Sequence, residues 1–458
     1  MRKTCHAGGD ATRPNPYIRA MNTPMPLATR ILWGLAVGVA AAIVTLLVGH
    51  WFPSVLTTMQ DVSTAVLDPF GQIFLRLLFF VVIPLVFASL ASGVVQLGRL
   101  EKLGPLAGRT FALFLANMLI GVMIGLVMMN ILQPGQHLAA GAQALLMKEY
   151  GGTAMQAVET QAQRPGMTLS TVVDMFMPRN LFGAFVGNSR GTLGDVLPLI
   201  VFAILVGAAG TRLAADQRLK LQAGLDIVAE VMTGIVHFAL KLAPYAVPAM
   251  IYSVIVKVGV DILLTLSVFV IGCAAALALQ LFGTLSIWLR FLARRSPLAF
   301  FRQVRPLLIT AFSTSSSSAT LPAALATAHD DLKLSPSTAG FVLPLGATMN
   351  MSGTALFEGC VVLFVAQAFG VDLSLLQQFV LMFLAVLSAV AVAGIPGGSL
   401  PLIAGLLATF SVPPEGIGIV LGVDRILDML RTTVNVGSDI VTATVVDAQM
   451  RARDQRER

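Results

Sequence analysis

Five polar side chains near the carboxyl end of the chain follow one another at helical spacing within an apolar segment. They are Asp424, Asp428, Arg431, Asn435 and Asp439, at intervals of 4, 3, 4 and 4 residues. At about 100° per residue they fall within an arc of about 80° on one helix. Because an unpaired charge in lipid costs at least about 2.5 kcal/mol, this polar stripe must face protein or water.

The side-chain types in the polar stripe suit three kinds of ligand group. Arg431 has a planar fork that matches a carboxylate, and Asp428, one turn earlier, can accept from an ammonium group. Asn435 and Asp439 supply hard oxygens of the kind that bind a small cation. Together they predict coupled uptake of an acidic amino acid. The alternative is an ordinary helix that packs its polar residues against its neighbours.

Two other polar or helix-breaking stretches interrupt apolar segments of the second half. One is the serine run STSSSSATLP at Ser313–Pro322, and the other is GIPGGSLP at Gly394–Pro401. Backbone freed by such breaks is tolerated at membrane depth only inside protein or beside an aqueous cavity. Each break is followed by an apolar segment with an Asn-centred polar stretch, at Asn350–Thr354 and Asn435–Asp439. Paired breaks indicate a binding site and suggest a two-fold repeat.

The composition places these residues in an all-α polytopic membrane protein. Of the 458 residues, 56% are hydrophobic and 12% are charged, about half the charged share of a soluble domain. Apolar segments of about 20 residues, long enough to cross a bilayer, recur along the chain. The clearest are Ile31–Trp51, Leu77–Leu97, Leu106–Leu132, Leu197–Leu213, Ile262–Leu289 and Leu375–Ala393.

The basic residues predict an orientation in the membrane. The net charge is +7 and most of the Lys and Arg residues fall in five blocks. Placing all five on the cytoplasmic side of a cell inner (plasma) membrane satisfies the positive-inside rule. Both termini are then cytoplasmic, and no nucleic-acid partner is needed to explain the charge. The blocks lie within Arg2–Arg30, Arg99–Arg109, Arg212–Lys220, Arg290–Arg295 and Arg451–Arg458.

Four motifs, in order, resemble those of the dicarboxylate/amino acid:cation symporters, which include archaeal aspartate and animal glutamate transporters. The motifs are TSSSSATLP, PLGATMNMSGTALFEG, GIPGG and LDMLRTTVNVGSD, and the resemblance covers most of the chain. It implies eight transmembrane helices, two re-entrant helical hairpins, inverted repeats and a homotrimer surrounded by membrane lipid. A mobile transport domain would move like an elevator against a fixed scaffold.

The resemblance also implies boundaries along the chain. Residues 1–30 would be a cytoplasmic segment, and residues 31–296 would hold helices 1 to 6, with 1, 2, 4 and 5 in the scaffold and an external loop at about 134–180. Helices 3 and 6 would join the transport core at 297–450. That core would comprise hairpin 1 (about 297–330), helix 7 (about 336–368), hairpin 2 (about 373–410) and helix 8 (about 414–446), before a basic tail at 451–458.

Individual roles follow from the same resemblance. Arg431 would bind the side-chain carboxylate of the substrate and Asp428 its amino group, which favours aspartate or glutamate. The other implied substrate contacts are Thr354, Thr432 and Asn435 together with the backbone of Ser316, Ser317, Ser318, Ile395, Pro396 and Gly397. The implied sodium ligands are Gly346, Asn350, Asn435 and Asp439 in one site, and Thr348, Met351 and backbone near Ala389–Val392 in a second. No catalytic residue is implied, and no cofactor beyond coupling ions, which are sodium, protons or both.

Four positions depart from the family pattern. Ser352 stands where the family carries an aspartate, and Phe114, Asn117 and Met118 replace hydroxyl-bearing residues on the third helix. In the family these positions build a further sodium site. Replacing a carboxylate by a hydroxyl, and two oxygens by a ring and a thioether, removes the ligands that a hard cation needs. We therefore expect this site to be lost, with fewer sodium ions or a proton in place of one.

A family arginine near the substrate is also absent, because Ser315 and Met429 occupy its two usual positions. Arg425, one turn before Met429, is placed to reach the same region. Counter-transport of potassium is correspondingly not expected.

Three functions remain open from the sequence. The first is symport of acidic amino acids. The second is proton-coupled transport of C4-dicarboxylates (succinate, fumarate or malate) by the same fold; Asp428 argues against it, because an amine-free substrate gives that side chain no partner. The third is an anion channel or sensor without coupled transport. An enzyme is not predicted: GNSRG at Gly187–Gly191 fits a nucleophile elbow but lacks the required strand and helix setting.

Overall fold

The computed structural model describes residues 27–97, 104–138, 196–392 and 397–457, together with 177, 180 and 181. Every regular element within these ranges is a helix, as the composition predicts. Most of the predicted N-terminal segment (1–30) and most of the predicted external loop (134–180) lie outside the described residues.

Apolar helices make up the amino-terminal part of the described chain. They are α1 (Leu27–Trp51), α2 (Pro53–Val62), α3 (Asp68–Phe80), α4 (Val82–Leu97), α5 (Pro105–Leu132), α6 (Val196–Thr211), α7 (Ala215–Leu240), α8 (Ala243–Val258), α9 (Asp261–Ala278) and α10 (Leu285–Phe291). Five or six residues of π-helix join α2 to α3 (Ser63–Leu67) and α9 to α10 (Leu279–Thr284). The chain from Pro53 to Phe80 is thus continuously helical.

Shorter and more frequently broken helices follow. They are α11 (Pro297–Gln303), α12 (Arg305–Thr314), α13 (Ser317–Ala326), α14 (Pro336–Met349), α15 (Ser352–Ala368), α16 (Leu375–Ala391), α17 (Leu400–Thr409) and α18 (Ile417–Glu457). The last helix passes through the predicted boundary at residue 450, so the basic tail is helical as far as Glu457. An ion pair between Arg451 Nε and Asp447 Oδ2 (2.7 Å), one turn apart, supports this extension.

Six stretches of the described residues are long and apolar enough to cross a membrane. They are Thr29–Trp51, Pro53–Val95, Pro105–His137, Ala215–Leu240, Ile262–Phe291 and Pro336–Ala368. Ala215–Leu240 is not among the clearest apolar segments of the sequence, because Asp216, Arg218 and Lys220 occupy its first turns. Four shorter apolar helices, Pro198–Thr211, Ala243–Val258, Leu375–Val390 and Leu400–Thr409, accompany them.

The helices pack in two groups. In the first, α1 packs along α8 and α2, while α4 packs along α6 and α7. In the second, α15 lies between α5 and α18, and α18 also contacts α12 and α14. The groups meet where α8 and α1 contact α18 and where α17 contacts α3, α4 and α6.

Helix α18 lies at the centre of the second group and carries the polar stripe. All five stripe residues are buried, from 7% exposed at Asp424 to 2% at Arg431, so the stripe faces protein as its spacing predicts. The close approach of α15 depends on Gly353, where a Cβ would overlap the carbonyl oxygen of Arg431. Every residue of α15 is buried in turn, which surrounds the stripe with protein on that side.

Candidate functional site

The serine run forms a tight turn between α12 and α13. Ser315 ends α12 in the left-handed conformation (φ +50°), and its N–H donates to the Ala311 carbonyl (3.0 Å). Ser316 caps α13, since its Oγ accepts from the Ala319 N–H (3.2 Å). The hydroxyls of Thr314 and Thr320 share a hydrogen bond of 2.8 Å across the turn. Most of the polar groups here therefore hold the turn itself.

A small cavity of about 10 Å³, with room for about one water molecule, lies between this turn and α18. It is lined by Ser315, Ser317, Met351, Thr354, Val392, Ser399, Asp428, Arg431, Thr432 and Asn435. Six of the residues that the sequence assigns to substrate binding meet here, from Ser317 on α13 to Asn435 on α18. Ser315, Val392 and Ser399 line the cavity although the sequence did not assign them to the substrate. Ser315 Oγ is buried without a hydrogen-bond partner among the described residues, so it is free to bind a ligand.

Of the remaining predicted substrate residues, Ser316, Ser318 and Gly397 do not line this cavity. The Ser316 side chain serves as the helix cap, and Ser318 is exposed, outside the cavity lining. Gly397 adopts a left-handed conformation (φ +71°), and its N–H donates to Asp428 Oδ2 (3.3 Å). Ile395 and Pro396 lie outside the described residues.

Asp428 forms hydrogen bonds through both carboxylate oxygens. Its Oδ1 accepts from Arg431 Nε (2.9 Å) and Nη2 (2.7 Å). Its Oδ2 accepts from Arg425 Nη1 (3.2 Å) and from the Gly397 N–H (3.3 Å). The sequence predicts that Asp428 and Arg431 each contact the substrate, whereas here they contact each other. A ligand that uses either side chain must therefore exchange with this ion pair.

The guanidinium of Arg431 is held from two further directions. Its Nη1 lies 3.5 Å from Asp424 Oδ1, and its central carbon lies 4.6 Å from the centre of the Phe357 ring. A cation over an aromatic face is stabilised most when it is shielded from water, as this side chain is at 3% exposure. Arg431 is thus fixed in orientation at the wall of the cavity before any ligand arrives.

A second polar cluster, beside the cavity, has the oxygens that a small cation prefers. Asn350 interrupts the path from α14 to α15, and its Nδ2 donates to Asp439 Oδ1 (2.9 Å). At Gly346 a Cβ would overlap the Asp439 carboxylate, so glycine is required there. Asn350 Oδ1 is buried without a hydrogen-bond partner among the described residues. Asp439 forms no salt bridge with any described residue. One carboxylate with amide and backbone oxygens matches a singly charged cation.

Asn435 connects the two clusters. Its side chain lines the cavity, and its Oδ1 accepts from the N–H groups of Gly353 (2.7 Å) and Thr354 (3.3 Å). Its Nδ2 donates to Thr354 Oγ1 (3.1 Å) and to Met351 Sδ (3.3 Å). Thr348, predicted for a second cation site, is exposed, and its hydroxyl donates to the Leu345 carbonyl (3.0 Å).

Protein amides fill the region where the sequence predicts a lost cation site. Gln280 Nε2 donates to Asn117 Oδ1 (2.6 Å), and Asn117 Nδ2 donates to the Ser438 hydroxyl. Ser438 also accepts from Asn350 Nδ2 (2.7 Å). The sequence did not single out Gln280 or Ser438; the signal for Gln280 was an amide within the apolar segment Ile262–Leu289. We name Gln280, Asn117, Ser438 and Asn350 the amide network.

The other residues of that region supply no free charge. Phe114 and Met118 are buried beside the amide network, and Ser352 Oγ is buried without a hydrogen-bond partner among the described residues. A ring, a thioether and one hydroxyl cannot replace a carboxylate in binding a hard cation.

Glu358 is a buried acid to which the sequence assigned no role. It lies on α15 at 0% exposure, and neither carboxylate oxygen has a hydrogen-bond partner among the described residues. The polar groups that face it are Ser388 and Arg431. An acidic residue within an apolar membrane segment is rare and usually functional. This rarity is the sequence signal that could have identified Glu358.

Comparison with known sequences decides the family. A sequence model of the sodium:dicarboxylate symporter family matches residues 27–449. The chain belongs to this family. The resemblance predicted from the four motifs is thereby confirmed, and the long apolar helices of this chain are those of a polytopic membrane transporter.

Members of the sodium:dicarboxylate symporter family similar to this chain carry two kinds of name. A proton/sodium-glutamate symport protein of Bacillus caldotenax is 31% identical over 91% of this chain and 93% of that protein. A C4-dicarboxylate transport protein of Sphingopyxis alaskensis is also 31% identical, over 94% of this chain and 92% of that protein. A proton/glutamate-aspartate symporter of Escherichia coli is 27% identical over 93% of both chains. Because identity is equal for the first two, the substrate class must be argued from the site.

Proposed function

We propose that this protein is a secondary active symporter that takes up aspartate or glutamate with sodium ions, protons or both. The buried ion pair of Asp428 and Arg431 at the cavity wall is the observation that carries the proposal. An acidic amino acid brings a carboxylate for Arg431 and an ammonium for Asp428. Binding then replaces one buried pair by two, so neither side chain is left as an unpaired buried charge.

Coupling to a cation follows from the position of Asn435. The cation would bind at Asp439, Asn350 and the backbone near Gly346, next to the break between α14 and α15. Asn435 holds the first N–H groups of α15 and also lines the substrate cavity. A cation that orders this break therefore also positions Thr354 and Asn435 for the substrate, which makes the two binding events mutually favourable.

The amide network argues that this protein binds fewer sodium ions than the family pattern implies. Gln280 places a fixed amide donor on Asn117, so a hydrogen bond within the protein replaces one ion contact. A proton is the other candidate coupling ion, and Glu358 is the candidate carrier. An ionised carboxylate without a hydrogen-bond partner is far more costly to bury than a protonated one.

The remaining architecture is part of the same proposal. Family membership supports eight transmembrane helices, two re-entrant hairpins and inverted repeats, in a homotrimer of a cell inner membrane with both termini cytoplasmic. The packing of α5, α9 and α12 to α18 as one group supports a transport domain that moves against α1 to α4 and α6 to α8. No enzymatic activity is proposed.

C4-dicarboxylate transport is the second candidate, and one observation favours it. Arg425 already supplies Asp428 with a cationic partner at 3.2 Å, so an amine-free substrate does not leave that carboxylate without a counter-charge.

Ligand-induced stabilisation of the purified protein, followed by uptake into proteoliposomes, tests the proposal. L-aspartate, L-glutamate and succinate are compared with and without sodium, because a ligand that binds the folded state raises the Tm. We expect aspartate or glutamate to stabilise the protein and to accumulate against its gradient. Stabilisation by succinate alone would replace the first candidate by the second. Binding without accumulation would indicate a channel or sensor.

A further inference from the structure

The two oxygens of Asp428 have different kinds of partner. Among the described residues, Oδ1 bonds to Arg431 alone, and Arg431 lines the substrate cavity. Oδ2 bonds to Arg425 and to the Gly397 N–H, neither of which lines that cavity. A substrate that draws Arg431 away therefore frees Oδ1 and leaves the bonds of Oδ2 in place.

Arg425 lines a second cavity and does not line the substrate cavity. This second cavity, of about 40 Å³, lies where the two helix groups meet, and Asp428 forms part of the wall of both cavities. Its apolar lining includes Leu27 and Ile31 of α1, Phe74 of α3 and Leu400 of α17. The Arg425 side chain is 13% exposed, and this apolar lining shields its pair with Asp428 from water.

The charges of the site show what Arg425 changes. When Glu358, which also faces Arg431, is protonated, Asp424 and Asp428 balance Arg425 and Arg431 before any ligand binds. When a ligand carboxylate pairs with Arg431, Asp428 Oδ1 loses that partner. The ammonium group of an acidic amino acid can then pair with Asp428 Oδ1. Succinate has no ammonium to give. Without Arg425, binding succinate would leave Asp428 as a buried carboxylate with no cationic partner, which is strongly unfavourable.

We propose that Arg425 is a specificity-determining residue that lets one site accept both acidic amino acids and amine-free C4-dicarboxylates. It acts through Asp428 Oδ2, which it keeps paired whether or not the ligand carries an ammonium. The inference rests on the proposed function and adds to it a substrate class and the residue responsible.

The test measures dissociation constants of L-aspartate and of succinate for the purified full-length protein. Arg425→Gln should weaken succinate binding at least about tenfold, while aspartate binding stays within about threefold of the wild type. Arg425→Lys, which keeps the charge, should retain most of the succinate affinity. Arg302→Gln is the matched control, because Arg302 is exposed at the end of α11, and it should change neither constant.

A second variant keeps the test decisive if Arg425→Gln does not fold. In Asp428→Asn the carboxylate that needs a counter-charge is gone, so succinate should still bind while aspartate binding falls at least about tenfold. Adding Arg425→Gln to Asp428→Asn should then cost no further succinate affinity.

The outcomes separate this inference from the function on which it rests. Three outcomes would each overturn the inference alone. In Arg425→Gln, these are an equal loss of affinity for both ligands or an undiminished affinity for succinate. In the wild type, it is binding of aspartate without binding of succinate. A wild type that binds neither ligand overturns the proposed function as well.

Discussion

Arg431 directs two guanidinium nitrogens, Nε and Nη2, at the same oxygen of Asp428, at 2.9 and 2.7 Å. The two residues are three positions apart on α18, and the pair forms within one turn without help from another helix. A site whose positive charge is already matched gives a simple anion little to gain. A ligand that supplies both signs of charge compensates both partners at once, which favours amino dicarboxylates over monocarboxylates.

Arg431→Cys should abolish binding of acidic substrates. Removing one member of a buried ion pair costs about 2–5 kcal/mol, or about 30-fold or more in affinity, and also leaves Asp428 without its cavity-side partner. We expect no thermal stabilisation by L-aspartate, and binding of neutral amino acids becomes feasible. Arg302→Gln is the control. Aspartate uptake at the wild-type level in Arg431→Cys would refute the role assigned to this residue.

Asp439→Asn should weaken sodium binding while leaving the recognition groups of the substrate intact. The change keeps the shape of the side chain that packs on Gly346 but removes the negative charge that attracts a cation. Loss of one charged ligand should raise the sodium concentration for half-maximal aspartate uptake by at least about tenfold.

Asp447→Asn is the matched control for that experiment. Asp447 lies two turns further along α18, is equally buried at 3% exposure, and accepts from the Ser335 N–H at 3.0 Å. Its substitution should lower the Tm and leave the sodium dependence unchanged. The same shift in sodium dependence for both variants would mean that Asp439 is not a cation ligand.

Gln280→Leu should destabilise the protein without changing its ion coupling. The substitution removes the donor to Asn117 Oδ1, and an unsatisfied buried acceptor costs about 1–3 kcal/mol. We expect a lower Tm and an unchanged Hill coefficient for sodium in aspartate uptake, because Gln280 and Asn117 hold no transported ion. A lower Hill coefficient in this variant would show that an ion binds there after all.

Glu358→Gln tests whether this carboxyl carries the coupling proton. Gln has nearly the same shape but cannot release a proton, so uptake driven by a pH gradient alone should be lost. Uptake driven by a sodium gradient should persist, since Asp439 and Asn350 are untouched. Ser388→Ala, which changes a hydroxyl facing Glu358, serves as the control for local packing. Full pH-driven uptake in Glu358→Gln would remove Glu358 from the pathway.

The spacing of polar residues along one helix was predictable from the sequence, and the pairing of their side chains was not. The intervals from Asp424 to Asp439 predict one buried stripe, and the structure has it. The same intervals do not reveal that Asp428 binds Arg431 and Arg425 at once, because side-chain conformations decide which acid a base contacts. Gln280 and Asn117 are 163 positions apart, so only the packed fold brings them together.

Hydropathy explains why two helices in the first half of the chain, α7 and α2, are not evident from the sequence. Charged residues in the first turns of α7 lower its apolar character, and the polar residues between Pro53 and Val62 hide a helix that continues into α3. In both cases neighbouring helices, rather than local composition, stabilise the element.

The length of α18 has a practical consequence. At 41 residues it is about 60 Å long, roughly twice the thickness of a bilayer's hydrocarbon core. Asp428 and the exposed Arg451 therefore stand on one continuous rod, about 35 Å apart. A spectroscopic label at the exposed position 451 would report rigid-body displacements of α18 at a distance of about 35 Å from Asp428.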